Sequence, residues 1–237
     1  MLVTNEIWSV VELAFGPNRD CCASILCILI LLMELPSLEA IRSSSSNESP
    51  LAFTLASLLE PSSVLLHTLV PQLYAKLKNS SSLVKSYTQL IDLAIEQVRT
   101  WDQNLQAQVI SGHPRIGETK NLSTFSAKEQ GANHRHPTAT PTPPDILARL
   151  AHLNAYYERR YPKLVYIVFV NGRSREEIVR VLEDHLGLEH SLSIDEPPLD
   201  AAVPVEIESQ KWLDELERAV EAVGLIAKSR LVALGVE

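Results

Sequence analysis

The chain has 237 residues, 46% of them hydrophobic, with 21 basic against 29 acidic side chains and a formal net charge of −8. That length supplies a hydrophobic core without staples, and the acidic balance argues against a nucleic-acid surface, since phosphate backbones need a basic patch. The three cysteines, Cys21, Cys22 and Cys27, all lie near the N-terminus. This excludes a disulfide framework from the rest of the chain and disfavours a cysteine zinc site, and neither a Gly-x-Gly-x-x-Gly nor a Gly-x-x-x-x-Gly-Lys-Ser/Thr phosphate loop occurs.

In chain order, residues 23–33 form an apolar run too short to cross a bilayer, which takes about 20 apolar residues. The preceding Glu6, Glu12 and Asp20 outweigh Arg19, so a basic secretory leader does not fit. Residues 1–35 read as an apolar N-terminal extension and 36–237 as one domain. Leu51, Leu55, Leu58 and Leu59 predict a helix that stops before Pro61. Ser62 caps a second helical run with Leu65, Leu66, Leu69, Leu73 and Leu77, which Pro71 is expected to bend or end. Ser80–Ser82 are expected to cap a helix over Leu83–Arg99, with Leu90, Ile91, Ala94 and Val98 on one face.

Residues 111–143 are polar and lack a period, and Thr138–Pro144 has the composition of a solvated linker. Helical spacing resumes at Pro144-Asp145 and runs to Arg160. Leu164–Val170, closed by Asn171-Gly172, has the local pattern of a strand. With no second strand to pair with, it reads as a buried segment among helices. Ser174 and Glu177 form a capping box that opens a helix to Leu186. Residues 187–204 are an acidic, proline-bearing loop, and a last helix covers roughly Val205–Leu234. The pattern is all-α, a single helical bundle.

Four features carry chemical interest. On the last helix Leu213, Leu216, Val220, Val223 and Ala227 step by three and four, and the next step lands on Arg230. A guanidinium on an apolar stripe either snorkels to the surface or holds a buried anion. His113 precedes Pro114, which pushes it toward an extended backbone in a loop. Ser126 and Glu129 have capping-box spacing. His134 and His136 alternate in a polar loop without a third ligand, which is weak for a metal.

These stretches together resemble the 2-oxo-4-hydroxy-4-carboxy-5-ureidoimidazoline (OHCU) decarboxylase family. The matching residues are Gly112-His113-Pro114-Arg115-Ile116-Gly117, Ser126-Ala127-Lys128-Glu129-Gln130, Leu153-Asn154-Ala155-Tyr156-Tyr157 and Ile226-Ala227-Lys228-Ser229-Arg230-Leu231, in the family's order. The resemblance implies an all-helical bundle, usually a homodimer. It also implies an enzyme of urate catabolism that needs no cofactor or metal and releases S-allantoin from OHCU. It makes His113 the catalytic histidine, working near neutral pKa, and Glu129 its acidic companion. Pro114, Ser126, Gln130 and Arg230 would line the substrate site, with Val165, Tyr166, Ile167, Val168 and Phe169 supplying backbone contacts to the ring. Arg230 would pair with Glu129 or grip the substrate. The family's aromatic run is replaced by Tyr161–Val165, so the pocket wall is expected to differ.

No partner beyond the small-molecule substrate is implied, neither nucleic acid nor membrane. A C-terminus without Ser-Lys-Leu favours the cytoplasm over the peroxisome, the other compartment the resemblance allows. The competing expectation is a catalytically inactive binding protein of the same fold.

Overall fold

Why the chain folds as helices is clearest at its caps, where polar side chains take up the amide groups that a helix start leaves unpaired. The computed structural model describes residues 35–43, 50–79, 84–119, 122–123, 125–126, 142–191 and 193–236. The chain divides into two units, Met1–Leu35 and Pro36–Glu237, and every described element belongs to the second. These are α1 (Leu38–Ser43), α2 (Pro50–Leu59), α3 (Val70–Asn79), α4 (Tyr87–Arg99), α5 (Gln103–Ser111), α6 (Pro144–Arg160), α7 (Arg175–Leu186) and α8 (Gln210–Leu234). No strand occurs among the described residues; the fold is all-α, as the sequence predicts.

Several boundaries move. The helix expected from Leu83 begins at Tyr87 and is capped by Ser86, whose hydroxyl accepts from the Gln89 amide at 3.2 Å. The Gln89 side chain returns a bond to the Lys85 amide at 2.7 Å, and this reciprocal pair fixes the start. Residues 80–83, where a cap was expected, lie outside the described residues. Helix α5 was not foreseen; Asp102 caps it through the Asn104 and Leu105 amides. The last helix starts at Gln210 rather than Val205, because Ser209 caps it and Glu208 before it takes a left-handed turn (φ 67°).

Pro71 does not end its helix. A π turn over Leu65–Leu69 leads directly into α3. The wider turn accommodates a proline that has no N–H for the regular ladder. Ser62 does cap this run, accepting from the Leu65 amide at 3.1 Å.

Helix α8 is the central strut, packed against α2, α4 and α5. Leu216, Val220, Val223 and Ala227 are buried along it, as the three-four spacing predicts, while Leu213 yields its core place to Trp212. Gly224 lets α4 approach closely, since a Cβ there would sit 3.1 Å from Ile95 Cγ1. On the other side α6 packs on α7, joined by the buried Arg149–Glu183 pair at 2.6 Å. Arg149 also donates to the Glu196 carbonyl, and His152 Nε2 donates to the Pro197 carbonyl at 2.8 Å, which pins the acidic 187–204 loop across α6. No helix among the described residues is long and apolar enough to cross a membrane.

Between α6 and α7, residues 164–170 run as an unpaired strap, buried from Leu164 to Ile167 and half-buried beyond. The absence of a pairing strand leaves it as the buried segment that the sequence pattern suggests.

Candidate active site

Helix α5 ends at Ser111, and the chain turns through His113-Pro114-Arg115-Ile116-Gly117. The His113 amide donates back to the Ile110 carbonyl at 3.0 Å, so the histidine leaves the helix in a fixed direction. Asn154 of α6 holds the far side of the loop, donating from Nδ2 to the Ile116 carbonyl at 2.9 Å. Gly117 closes the turn at φ 89°, and a Cβ there would meet Leu150 Cβ and Cδ1 at 3.0 Å. Gly117→Ala is therefore expected to cost about 1–3 kcal/mol through backbone strain and overpacking. A urea midpoint measurement checks this, and an unshifted midpoint would contradict it.

His113 and Pro114 line a cavity of about 240 Å³ together with Ile116, Ser126, Tyr166–Gly172, Ile226, Ser229 and Arg230. The volume lies below the roughly 300–1,000 Å³ of drug-sized sites, which suits a small heterocycle.

Arg230 is 1% exposed, so the snorkelling alternative fails. Its Nη2 donates to Glu60 Oε1 at 2.7 Å and to Ser126 Oγ at 3.1 Å, and its Nη1 to the Ser57 and Leu58 carbonyls at 3.4 and 3.2 Å. Those carbonyls belong to the last turn of α2, where the helix dipole favours a cation. Ser126 Oγ in turn donates to Glu60 Oε1 at 2.6 Å, and Ser123 Oγ does so at 2.7 Å. One carboxylate oxygen thus receives three donors. Glu60 itself sits just after α2 with φ 65°, a conformation disfavoured for a side-chain-bearing residue and held here by those three bonds.

The electrostatics follow from this packing. Burial alone would raise the Glu60 carboxyl, but the Arg230 guanidinium and the serine hydroxyls outweigh it and hold the pKa below its ordinary value. For His113 burial dominates. It disfavours the imidazolium, Arg230 adds to that, Glu60 opposes it, and the pKa is pushed down to about 4. The ring is neutral at pH 7, which corrects the expectation of a near-neutral pKa. Among the described residues His113 Nε2 is buried with no hydrogen-bond partner, a polar atom left open at a cavity.

The structure gathers His113, Pro114, Ser126, Tyr166, Ile167, Val168, Phe169 and Arg230 around one cavity. Val165 is different: it is 8% exposed, packed in the core rather than in the cavity wall. Glu129, Gln130, His134 and His136 lie outside the described residues. Among the described residues no group of three His, Cys, Asp or Glu side chains is placed to hold a metal. Instead of Glu129 or the substrate, the group that Arg230 holds among the described residues is Glu60, which its sequence context does not mark. Its signal was faint, a lone carboxylate closing a leucine-rich helix just before Pro61. Ile116, Ile226 and Ser229 were missed as lining residues, although all three stand in the stretches that carry the resemblance.

An all-α domain that places a neutral histidine, unpartnered among the described residues, and an anchored guanidinium on one small cavity has the groups that acid–base chemistry on a small molecule would use. The family model for OHCU decarboxylase matches residues 46–192, more than half of the chain, and the chain belongs to that family. Membership supports a decarboxylating lyase acting in urate catabolism. No curated protein and no solved structure matches the chain.

Proposed function

We propose that this cavity decarboxylates OHCU to S-allantoin without a cofactor. The observation that carries the reading is the buried Nε2 of neutral His113, unpartnered among the described residues, on the same small cavity as Arg230. In OHCU the carboxylate and a hydroxyl share one ring carbon, and the ureido-bearing carbon beside it forms the ring's C=N bond. Loss of CO2 sends the bonding pair toward that C=N, whose nitrogen takes a proton. The hydroxyl proton then leaves as the ring amide carbonyl forms, and a proton delivered to one face of the ureido carbon sets the S configuration.

The protein's tasks are orientation and charge stabilisation. Arg230 and Ser126 face the anionic end of the substrate, His113 moves the proton, and Glu129 is its acidic companion. A bound anion beside the ring raises the proton affinity of His113, so the base is stronger with substrate present than in the empty site. By the same family likeness, the working unit is a homodimer.

Allantoin is chiral, so the test is optical. Adding the protein to freshly prepared OHCU should speed the appearance of the S-allantoin circular-dichroism signal. A trace no faster than the uncatalysed one would favour the alternative, an inactive binding protein of the same fold.

A further inference from the structure

Beneath the strap lies a second cluster of charged and aromatic groups that the proposed chemistry does not use. Glu215 of α8 is 5% exposed. Its carboxylate takes a two-pronged grip from Arg218, with Nη2 to Oε1 at 2.7 Å and Nε to Oε2 at 3.0 Å. Tyr157 of α6 donates to Oε1 at 2.5 Å, and His185 Nε2 of α7 stands 3.1 Å from Oε2. The rings of Tyr157, Tyr166 and His185 pack on one another, with centroids 5.2–6.1 Å apart. Three helices therefore converge on one carboxylate, and that carboxylate sets one guanidinium.

The guanidinium has an outward task. Arg218 Nη1 donates to the Ile167 carbonyl at 2.9 Å, and the group lies 5.2 Å from the centre of the Tyr166 ring. Two residues along, Arg173 Nη2 donates to the Phe169 carbonyl at 2.7 Å and its Nε to the Val170 carbonyl at 3.0 Å. The carbonyls on either side of Val168 are thus both held by arginines. Val168 lines the cavity, and among the described residues its own N–H and C=O have no hydrogen-bond partner. A peptide group clamped on both flanks and open at a cavity is a preorganised donor–acceptor pair, suited to the N–H and C=O edge of an amide-bearing ring.

The geometry points to Arg218, oriented by Glu215, as a positioning residue that fixes the Val168 peptide for substrate binding. This inference deepens the decarboxylase reading and rests on it for the identity of the ligand. A fork that bridges a carboxylate and a carbonyl at once requires arginine; a lysine ammonium has no such planar fork. The half-exposed Arg218 side chain (33%) also leaves room for substitution without a buried hole.

Arg218→Met is expected to raise KM for OHCU about tenfold while kcat changes by less than about threefold, because binding geometry rather than proton transfer is lost. Amide hydrogen exchange in a peptide covering 164–170 should quicken at least about tenfold, with peptides from α4 unchanged. Glu215→Gln, which keeps a side chain able to accept from Tyr157, should show the same split to a smaller degree. Arg218→Lys should leave KM raised.

Unchanged KM and exchange in Arg218→Met would overturn the assignment. So would full rescue by lysine, or exchange that quickens throughout the chain in Glu215→Gln/Arg218→Met, where no buried carboxylate is left unpaired. If the wild-type protein fails to accelerate OHCU loss, the decarboxylase reading falls. The exchange measurement still decides the clamp by itself.

Discussion

Replacing His113 with alanine is expected to lower kcat for OHCU decarboxylation by about 10²–10⁴, the usual worth of a positioned acid–base group, with the helical circular-dichroism spectrum unchanged. The loop is held by the Ile110 and Ile116 backbone bonds, and the imidazole Nε2 has no partner among the described residues.

The pH behaviour gives an independent check. The neutral ring is the form able to accept a proton, and with a pKa of about 4 it predominates above that value in the free enzyme. Activity, read as kcat/KM, should therefore hold from neutrality down and fall only as pH approaches about 4, not near the ordinary 6.5.

Stability follows the same sign. Between about 4 and 6.5 the unfolded chain binds a proton at His113 that the folded one refuses, so stability rises with pH across that window and levels off above it. Urea midpoints at pH 5 and 7 should differ in the wild type, and the difference should shrink in His113→Ala. An acid limb near 6.5 that persists in the wild-type rate profile would sink the assignment of His113 as a buried neutral base.

The second large effect belongs to Glu60. Glu60→Ala is expected to destabilise the domain by about 3–5 kcal/mol, the cost of removing one partner of a buried ion pair. Activity should fall with it, because Ser126 and Arg230 lose the oxygen that aligns them. Glu60→Gln separates the two effects: it keeps the shape and removes the charge. Since the Glu60 anion favours the imidazolium of His113, its neutralisation should move the acid limb of the rate profile to still lower pH. A limb that moves upward would show that Glu60 does not act on His113 through charge.

The Glu60 carboxyl is itself held below its ordinary 4.5. Its contribution to stability is present above that value and is lost as pH falls through the depressed one. Glu60→Gln should remove this steep acid step.

How far the sequence was legible differs between fold and site. Helices α6 and α7 could be read almost to the residue, because Pro144 presets the helical φ at the start of the first and the Ser174–Glu177 box closes the start of the second by local bonds. The start of α4 misled because four serines compete for one cap, and the winner is decided by the return bond from Gln89. Helix α5 was missed because two turns carry too little periodic signal. Within the site, His113, Ser126 and Arg230 stood out through a proline, a hydroxyl at a cap and a break in an apolar stripe. Glu60 did not, since a lone glutamate after a leucine run looks like an ordinary helix end.

The all-α class, the buried stripe that delivers Arg230 and the loop that presents His113 are written in the amino-acid order, because each rests on spacing and on contacts a few residues apart. What Arg230 holds, how far burial lowers the His113 pKa and which strap carbonyls are clamped follow from long-range packing alone. Glu60 and Arg230 stand 170 residues apart in the chain and meet at 2.7 Å. A buried charge takes its meaning from whichever groups surround it, and those groups are brought together by packing, not by any local pattern.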